Sequence, residues 1–339
     1  MGISPSQGGG ELTPSVSVLM PVYNCERYLE AAATSISTQT HTDFEVVAVD
    51  DGSTDATPLL AEQWAARDRR VRLFRIPHGG LVSALNVGIS HCRAPLVARM
   101  DGDDVALPRR LERQVAILRE RPEIGVVGCA FDELHGEERL PGPGIRVEPN
   151  LLAWRAHFFV VVPHPTAVFR RSLLEQVGGY SPDIQNVAED FNLLRRLSRL
   201  TQFTNVPEVL FLYRRHSQAS KLVYSDSIDT NSIRVCQLAL TDLLAEPVPF
   251  EVAAQLWRGA FTPGDPRASR TLTRAFRSFA RQRRLSGIDR RLVARDVLWL
   301  LYRSGGFRGR SSLRFCLQHP LAAARVVAAG VIRGPSSSR

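Results

Sequence analysis

The sequence predicts an α/β fold with a parallel sheet covered by helices on both faces. Strand-like and helix-like segments alternate along the chain, and the strands are near-continuous apolar runs. Such runs are typical of strands buried on both faces. Polar or acidic residues directly follow three of these strands. Ligands of open α/β sheets bind beyond the carboxyl ends of the strands, so these residues mark the expected site.

The first part of the chain contains four predicted strands, at residues 16–20, 44–49, 71–75 and just before residue 101. We expect Pro21 to stop the first strand in a loop. Helices are predicted at about 28–38, after residue 55 and at 84–90, and a further helix begins near Pro108. Ser53 or Asp55 is the expected cap of the second helix.

From residue 151 onward the pattern is mixed, with a strand-like segment at 158–162 and a helix at 172–177. Beyond residue 224, apolar and basic residues interleave at 233–244, 268–284 and 290–302, which predicts helices. We therefore expect a flexible tail at 1–14, an α/β domain at 15–224 and a basic helical region at 225–339.

Composition limits the possible classes of protein. The chain has 339 residues, of which 44% are hydrophobic and 23% charged, so it can bury a substantial core. Its five cysteines are scattered and form no Cys-x-x-Cys pair, which indicates neither a zinc site nor a disulfide framework. No apolar run approaches the roughly 20 residues of a membrane span. We expect a cytoplasmic protein, free or peripheral on the inner face of the cell membrane.

The net charge of +9 is unevenly distributed. Residues 1–220 carry a net charge of −3, whereas residues 221–339 carry +12. The basic region could bind an anionic membrane surface, or it could be a helical subdomain with a solvated basic face. Nucleic-acid binding would place aromatic residues among the basic ones, and Phe276, Phe279 and Trp299 satisfy this only weakly. We expect no nucleic-acid partner.

Three carboxylates, those of Asp101, Asp103 and Asp104, follow the fourth predicted strand. Carboxylates two residues apart on an extended chain point to one face, so Asp101 and Asp103 can converge on one ion while Asp104 faces elsewhere. Gly102 would let a phosphate approach the backbone. Oxygen ligands suit Mg²⁺ or Mn²⁺ together with substrate phosphates. The alternative is a solvated acidic turn that caps the following helix.

Four sequence blocks together resemble family 2 glycosyltransferases of the GT-A fold. They are SVLMPVYN at 17–24, VDDGSTD at 49–55, ARMDGDD at 98–104, and GGY at 178–180 followed by EDFNL at 189–193. The resemblance covers residues 15–220. It implies a Rossmann-like mixed sheet flanked by helices, to which a C-terminal helical extension is added here. Residues of about 15–128 would form the nucleotide-binding half and those of about 129–224 the acceptor half.

The resemblance also implies the roles of the first three blocks. Pro21, Tyr23 and Asp51 would grip the nucleotide, usually UDP. This is chemically reasonable, because a carboxylate can accept a hydrogen bond from uracil and Tyr23 offers an aromatic wall. Asp103 would bind the metal, and Asp101 the metal or the ribose. Taken alone, the Asp-Gly pair could be only a turn and Tyr23 only a core residue.

In the fourth block, Asp190 would be the general base and Glu189 would support it. A sugar hydroxyl is a poor nucleophile, so a carboxylate must accept its proton during attack. Two acids favoured by a helix dipole are the alternative. His216 could help to ligate the metal or hold the diphosphate. Three weaker candidates would contact the acceptor or the diphosphate, namely His164, Arg214 and Arg215.

Two departures from the family pattern refine the expected activity. Residues 79–83 contain no basic residue where many members place one near the diphosphate, and the Gln-x-x-Arg-Trp signature of processive synthases is absent. The second departure favours transfer of a single sugar over polymerisation. With it, the resemblance implies an inverting enzyme that uses Mn²⁺ or Mg²⁺ to transfer one sugar from a UDP-sugar to a glycan or lipid-linked acceptor. The expected pathway is cell-envelope polysaccharide or glycolipid biosynthesis. A sugar nucleotidyltransferase and a non-catalytic sugar-nucleotide-binding protein are the alternatives.

Overall fold

The computed structural model describes residues 13–183, 188–216, 225–262, 265–303 and 315–319. Within these ranges one sheet contains nine strands. The strands are β1 (Val16–Val22), β2 (Phe44–Asp50), β3 (Val71–Arg75), β4 (Leu96–Arg99), β5 (Val105–Ala106), β6 (Ile124–His135), β7 (Glu138–Leu140), β8 (Val168–Arg170) and β9 (Gln202–Arg215).

Helices accompany the strands and form the C-terminal region. Those of the first 216 residues are α1 (Leu29–Ser37), α2 (Thr57–Arg67), α3 (Leu81–His91), α4 (Arg110–Glu120), α5 (Pro149–Arg155), α6 (Arg171–Gln176) and α7 (Glu189–Leu197). They are followed by α8 (Ser225–Leu244), α9 (Phe250–Arg258), α10 (Arg267–Gln282) and α11 (Gly287–Arg303). All three helices predicted beyond residue 224 are therefore confirmed, and α9 was not predicted.

The sheet is mixed, with the order β3-β2-β1-β4-β8-β6-β9-β5 and with β7 paired to β6. The first four strands in this order are parallel, whereas β8 runs antiparallel to both β4 and β6, and β5 antiparallel to β9. The parallel arrangement predicted from alternation is thus correct for one half of the sheet only. The two residues of β5 and the three of β8 carry too little sequence pattern to predict the direction of either strand. The mixed sheet that the resemblance implied is confirmed.

Two predicted elements differ from the structure. Strand β1 does not stop at Pro21 but continues to Val22. Proline is tolerated there because pairing with β4 ends at Leu19, so its missing N–H faces no strand on that side. Residues 158–162 form no strand; they are a turn after α5, and Phe158 packs edge-on against Trp154 in the core. A short buried apolar run does not distinguish a strand from a buried turn.

The C-terminal helices share a hydrophobic core with the α/β part. Trp154 of α5 and Phe191 of α7 lie in one buried cluster with residues of α8 to α11. The Nε of Arg155 also donates a 2.9 Å hydrogen bond to Asp296 of α11. Removing the region beyond residue 224 would therefore expose this core. None of the described helices is long and apolar enough to cross a membrane, and all five cysteines are free.

Candidate active site

The three strand-end blocks meet at one edge of the sheet. Val22 at the end of β1 pairs with Asp50 of β2, and Leu19 pairs with Arg99 of β4. The backbone of Asp51 then donates a 3.0 Å hydrogen bond to the carbonyl of Val22. The expectation that these blocks meet beyond the carboxyl ends of parallel strands is correct.

Asp51 fixes the loop that follows β3. Its two carboxylate oxygens accept hydrogen bonds from the backbone N–H groups of Gly79 and Gly80, at 2.8 and 2.9 Å, and one of them lies 2.9 Å from the Nδ1 of His78. Gly52 is required beside this loop, because a Cβ there would lie 2.8 Å from the backbone nitrogen of His78. A contact between Asp51 and a nucleotide base stays a prediction.

Tyr23 is not a core residue. It is 45% exposed, and its ring stacks on that of His78 with 4.3 Å between the centroids. Pro21, two residues earlier, is buried in β1. The loop after β3 and the end of β1 therefore form an aromatic surface beside Asp51, which could support a planar nucleotide base.

All three carboxylates of the acidic block converge. An oxygen of each of Asp101, Asp103 and Asp104 lies within 4.8 Å of one from each of the others. The prediction that Asp104 faces elsewhere is wrong, because residues 102–103 form a turn and the two-residue alternation of an extended chain does not apply. Gly102 is also not open to a ligand, since a Cβ would lie 2.9 Å from the Sγ of Cys25.

This acidic cluster has the electrostatics of a cation site. Burial and the neighbouring Asp103 raise the pKa of Asp101 to about 6, although the guanidinium of Arg99 opposes this shift. Burial and the charge of Asp103 also raise the pKa of Asp104. One oxygen of Asp104 is buried and has no hydrogen-bond partner among the described residues. A divalent cation would relieve this repulsion, so the residues fit the expected metal. The cluster is no solvated turn: Asp104 is 1% exposed and α4 has no side-chain cap.

The C-terminal end of β9 closes the cluster. The Nε2 of His216 lies 2.9 Å from a carboxylate oxygen of Asp103, which agrees with a place for His216 beside the metal. Arg214 donates from its backbone N–H to Asp104 and from its Nε to the carbonyl of Asp103, both at 2.7 Å. Arg215 pairs with Glu133. Both arginines therefore have partners within the protein, and Arg214 holds the acidic turn.

Glu189 and Asp190 lie in the first turn of α7. Ala188 precedes them with a φ of +68°, a left-handed conformation that costs energy in a residue with a side chain. Glu189 is 9% exposed, and its burial together with Asp190 raises its pKa to about 7. Asp190 accepts a 2.6 Å hydrogen bond from the backbone N–H of Phe191. The two acids thus differ in exposure and surroundings, as a supporting residue and a base would.

His164 lies behind Glu189 and is not a surface contact for a substrate. It is 8% exposed, with its Nε2 at 2.6 Å from the hydroxyl of Tyr180 and its Nδ1 at 3.8 Å from a carboxylate oxygen of Glu189. Tyr180 is fixed in turn by Asn86 of α3, whose side-chain amide forms two hydrogen bonds with the backbone of Tyr180, at 2.8 and 2.9 Å. Arg196 of α7 donates to the carbonyls of Val177 and Gly179. These contacts join the two parts of the fourth block.

Arg99 connects the acidic cluster with the Glu189–Asp190 pair. It is 4% exposed and pairs with Asp101, and its positive charge opposes part of the rise in the pKa of Glu189. The sequence indicates no role for Tyr180, Asn86 or His78 beyond the block that contains Tyr180. Arg99 does carry a signal, because an arginine inside the apolar strand 96–100 needs a buried partner. Asn86 and His78 gave no such signal.

The comparisons with known proteins agree with this geometry. The model of the family "Glycosyl transferase family 2" matches residues 17–178. The chain is 37% identical over 234 residues to the putative glycosyltransferase EpsE of Bacillus subtilis. This match covers 66% of this chain and 81% of EpsE. It is 34% identical over 208 residues to the amylovoran biosynthesis glycosyltransferase AmsE of Erwinia amylovora, covering 59% of this chain and 76% of AmsE.

Solved structures share the fold at low sequence identity. The crystal structure of S. aureus TarS 1–349 in complex with UDP-GlcNAc has a TM-score of 0.57 and 16% identity, and the match covers 93% of this chain and 92% of that one. The mannosyltransferase PcManGT from Pyrobaculum calidifontis, in complex with GDP-Man and Mn²⁺, has a TM-score of 0.53 and 19% identity. That match covers 95% of this chain and 87% of PcManGT. Together with the four converging blocks, the family match and the identity to EpsE establish that the chain belongs to glycosyltransferase family 2.

Proposed function

We propose that this glycosyltransferase uses a divalent cation, Mn²⁺ or Mg²⁺, to transfer one sugar with inversion from a nucleotide-sugar donor, most simply a UDP-sugar. The observation that carries the proposal is the presence, in one site, of a three-carboxylate cluster and a second acidic pair connected by Arg99. The cluster suits a donor diphosphate with its metal, and the pair suits activation of a hydroxyl.

The residues divide the reaction between them. Tyr23 and the loop held by Asp51 form the wall for the base, and Asp101 and Asp103 with His216 would hold the cation. When bound, the cation supplies positive charge that offsets the charge developing on the departing diphosphate. Asp190 accepts the proton of the acceptor hydroxyl as that oxygen attacks the anomeric carbon on the face opposite the diphosphate. Glu189, which is buried near His164, orients Asp190.

We further infer that the acceptor is a glycan or a lipid-linked saccharide used in cell-envelope polysaccharide or glycolipid synthesis. The name of AmsE, an amylovoran biosynthesis glycosyltransferase, supports this placement. Five free cysteines suit a reducing compartment, which supports a cytoplasmic location.

The test is a transfer assay with UDP-, GDP- and dTDP-sugars against lipid-linked and free saccharides, with Mn²⁺, Mg²⁺ or a chelator. Transfer should require the cation. The change Asp190→Asn should lower the transfer rate by about 10²- to 10⁴-fold, the usual contribution of a general base, and leave donor binding intact. Asp43→Asn, at an exposed site before β2, is the matched control. Persistent transfer by Asp190→Asn would assign the base to another residue, and chelator-resistant transfer would refute the cation.

A further inference from the structure

Helix α10 carries a continuous row of exposed arginines. Arg267, Arg270, Arg274, Arg277 and Arg281 are spaced three or four residues apart and are all exposed. This spacing places them on one face of the helix, over a length of about 21 Å at 1.5 Å per residue. We refer to these five residues as the arginine row. The helix contains no acidic residue.

The opposite face of α10 is buried, which fixes the orientation of the arginine row. Six apolar residues of this face lie in the core that the C-terminal helices share with α5 and α7: Ala268, Leu272, Ala275, Phe276, Phe279 and Ala280. The helix therefore cannot rotate to hide the row without unpacking that core. The row is a fixed part of the protein surface.

Most of the charge of the arginine row is not neutralised by the described residues. Arg267 pairs with Asp265 and Glu251, and Arg274 pairs with Glu246. Arg270, Arg277 and Arg281 form no ion pair with any residue that the structure describes. Exposed arginines continue beyond α10, with Arg284 in the turn and Arg290 and Arg291 in the first part of α11. Ile288, in the first turn of α11, is 68% exposed. We call the arginine row together with these four residues the patch.

The chemistry of this patch distinguishes between two anionic partners. Single-stranded nucleic acid would need accessible aromatic rings among the cations. The two aromatic residues of α10, Phe276 and Phe279, are only 1% and 2% exposed, so their rings cannot stack on bases. Trp299 of α11 is 39% exposed but lies about three helical turns beyond the first turn of that helix, so a row of stacking rings does not accompany the arginines. The exposed apolar residue next to Arg290 and Arg291 in the sequence is aliphatic Ile288, which suits the boundary between lipid headgroups and acyl chains.

We propose that the arginine row, with Ile288 at its end, docks the enzyme on a membrane surface that contains anionic lipids. This inference extends the proposed function, because it would hold the site near lipid-linked acceptors, but the docking itself requires no catalysis. Each arginine near an anionic surface strengthens binding by about five-fold. Screening by salt weakens such binding, because the Debye length is about 10 Å at 0.1 M.

The test measures cosedimentation of the full chain with vesicles of phosphatidylcholine, with and without phosphatidylglycerol. The wild type should bind only the anionic vesicles, and less at high salt. The triple variant R270Q/R277Q/R281Q should bind about 100-fold more weakly, since glutamine preserves the helix and removes three charges. The matched control R69Q/R119Q/R146Q removes three exposed arginines from other surfaces and should keep most of the binding.

Equal binding by the triple variant and the control, or equal binding to neutral vesicles, would overturn the proposal. Tighter binding of the wild type to single-stranded DNA than to anionic vesicles would overturn it in favour of a nucleic-acid partner. UDP binding is measured on the same samples and should be unchanged in the triple variant. A protein that binds vesicles but no nucleotide sugar would retain the docking surface and lose the proposed function, so the two failures are distinguishable.

Discussion

Glu189 offers a direct test of the electrostatics of the candidate site. Its pKa is raised from the ordinary 4.5 to about 7, first by burial and then by the charge of Asp190, whereas Arg99 acts in the opposite direction. His164 also faces it, with Nδ1 at 3.8 Å. The ionised carboxylate is therefore less favourable in the folded protein than in the unfolded chain.

The sign and size of the effect follow from linkage. Because the folded pKa is the higher one, the contribution of neutral Glu189 to stability is fully present below about pH 4.5 and is lost as the pH rises through about 7. At about 1.4 kcal/mol per pKa unit, the full loss is about 3 kcal/mol. Between about pH 5.5 and about pH 8.5 the loss amounts to about 2 kcal/mol.

The change Glu189→Gln keeps the shape of the side chain and removes its ionisation. The free energy of unfolding of this variant, relative to the wild type, should therefore rise by about 2 kcal/mol between about pH 5.5 and about pH 8.5. Urea denaturation with a chelator at each pH measures this difference, and titrations common to both proteins cancel. Glu120→Gln, at an exposed site on α4, should show no such rise. A difference between Glu189→Gln and the wild type that does not change with pH would refute the burial argument.

Two further outcomes test the acidic cluster and its support. Mn²⁺ at about 100 times its Kd should stabilise the wild type by about 3 kcal/mol, which thermal denaturation detects as a higher melting temperature. Asp103→Asn should lose most of this stabilisation, and Asp43→Asn should lose none. Unchanged stabilisation of Asp103→Asn would place the cation elsewhere. Tyr180→Phe leaves His164 without its 2.6 Å partner and should lower the free energy of unfolding by about 1–3 kcal/mol. Tyr213→Phe is the control, since its hydroxyl forms no hydrogen bond with described residues, and equal losses in both variants would contradict a specific role for Tyr180.

The fold class and the strand-end position of the site were predictable, because both depend on local sequence periodicity. The apolar runs before Pro21, Asp50 and Asp101 identify buried strands, and neighbouring strand ends must meet at one edge. The antiparallel β8 was not predictable from alternation, because three residues carry too little pattern to fix a direction. The error over Asp104 has a related cause: the two-residue alternation holds only while the chain is extended, and it ends at Gly102.

The supporting contacts of the site could not be derived from sequence, because they join residues distant along the chain. Asn86 meets Tyr180 over 94 positions, and His216 meets Asp103 over 113. The partner of Arg99 is an exception, because it can be derived from the sequence. A buried cation has to face an anion, and the acid two residues later is the nearest candidate. The structure adds that its charge also acts on Glu189. Because Arg99 pairs with Asp101 and its charge also acts on Glu189, a change at Arg99 should affect both the acidic cluster and the Glu189–Asp190 pair.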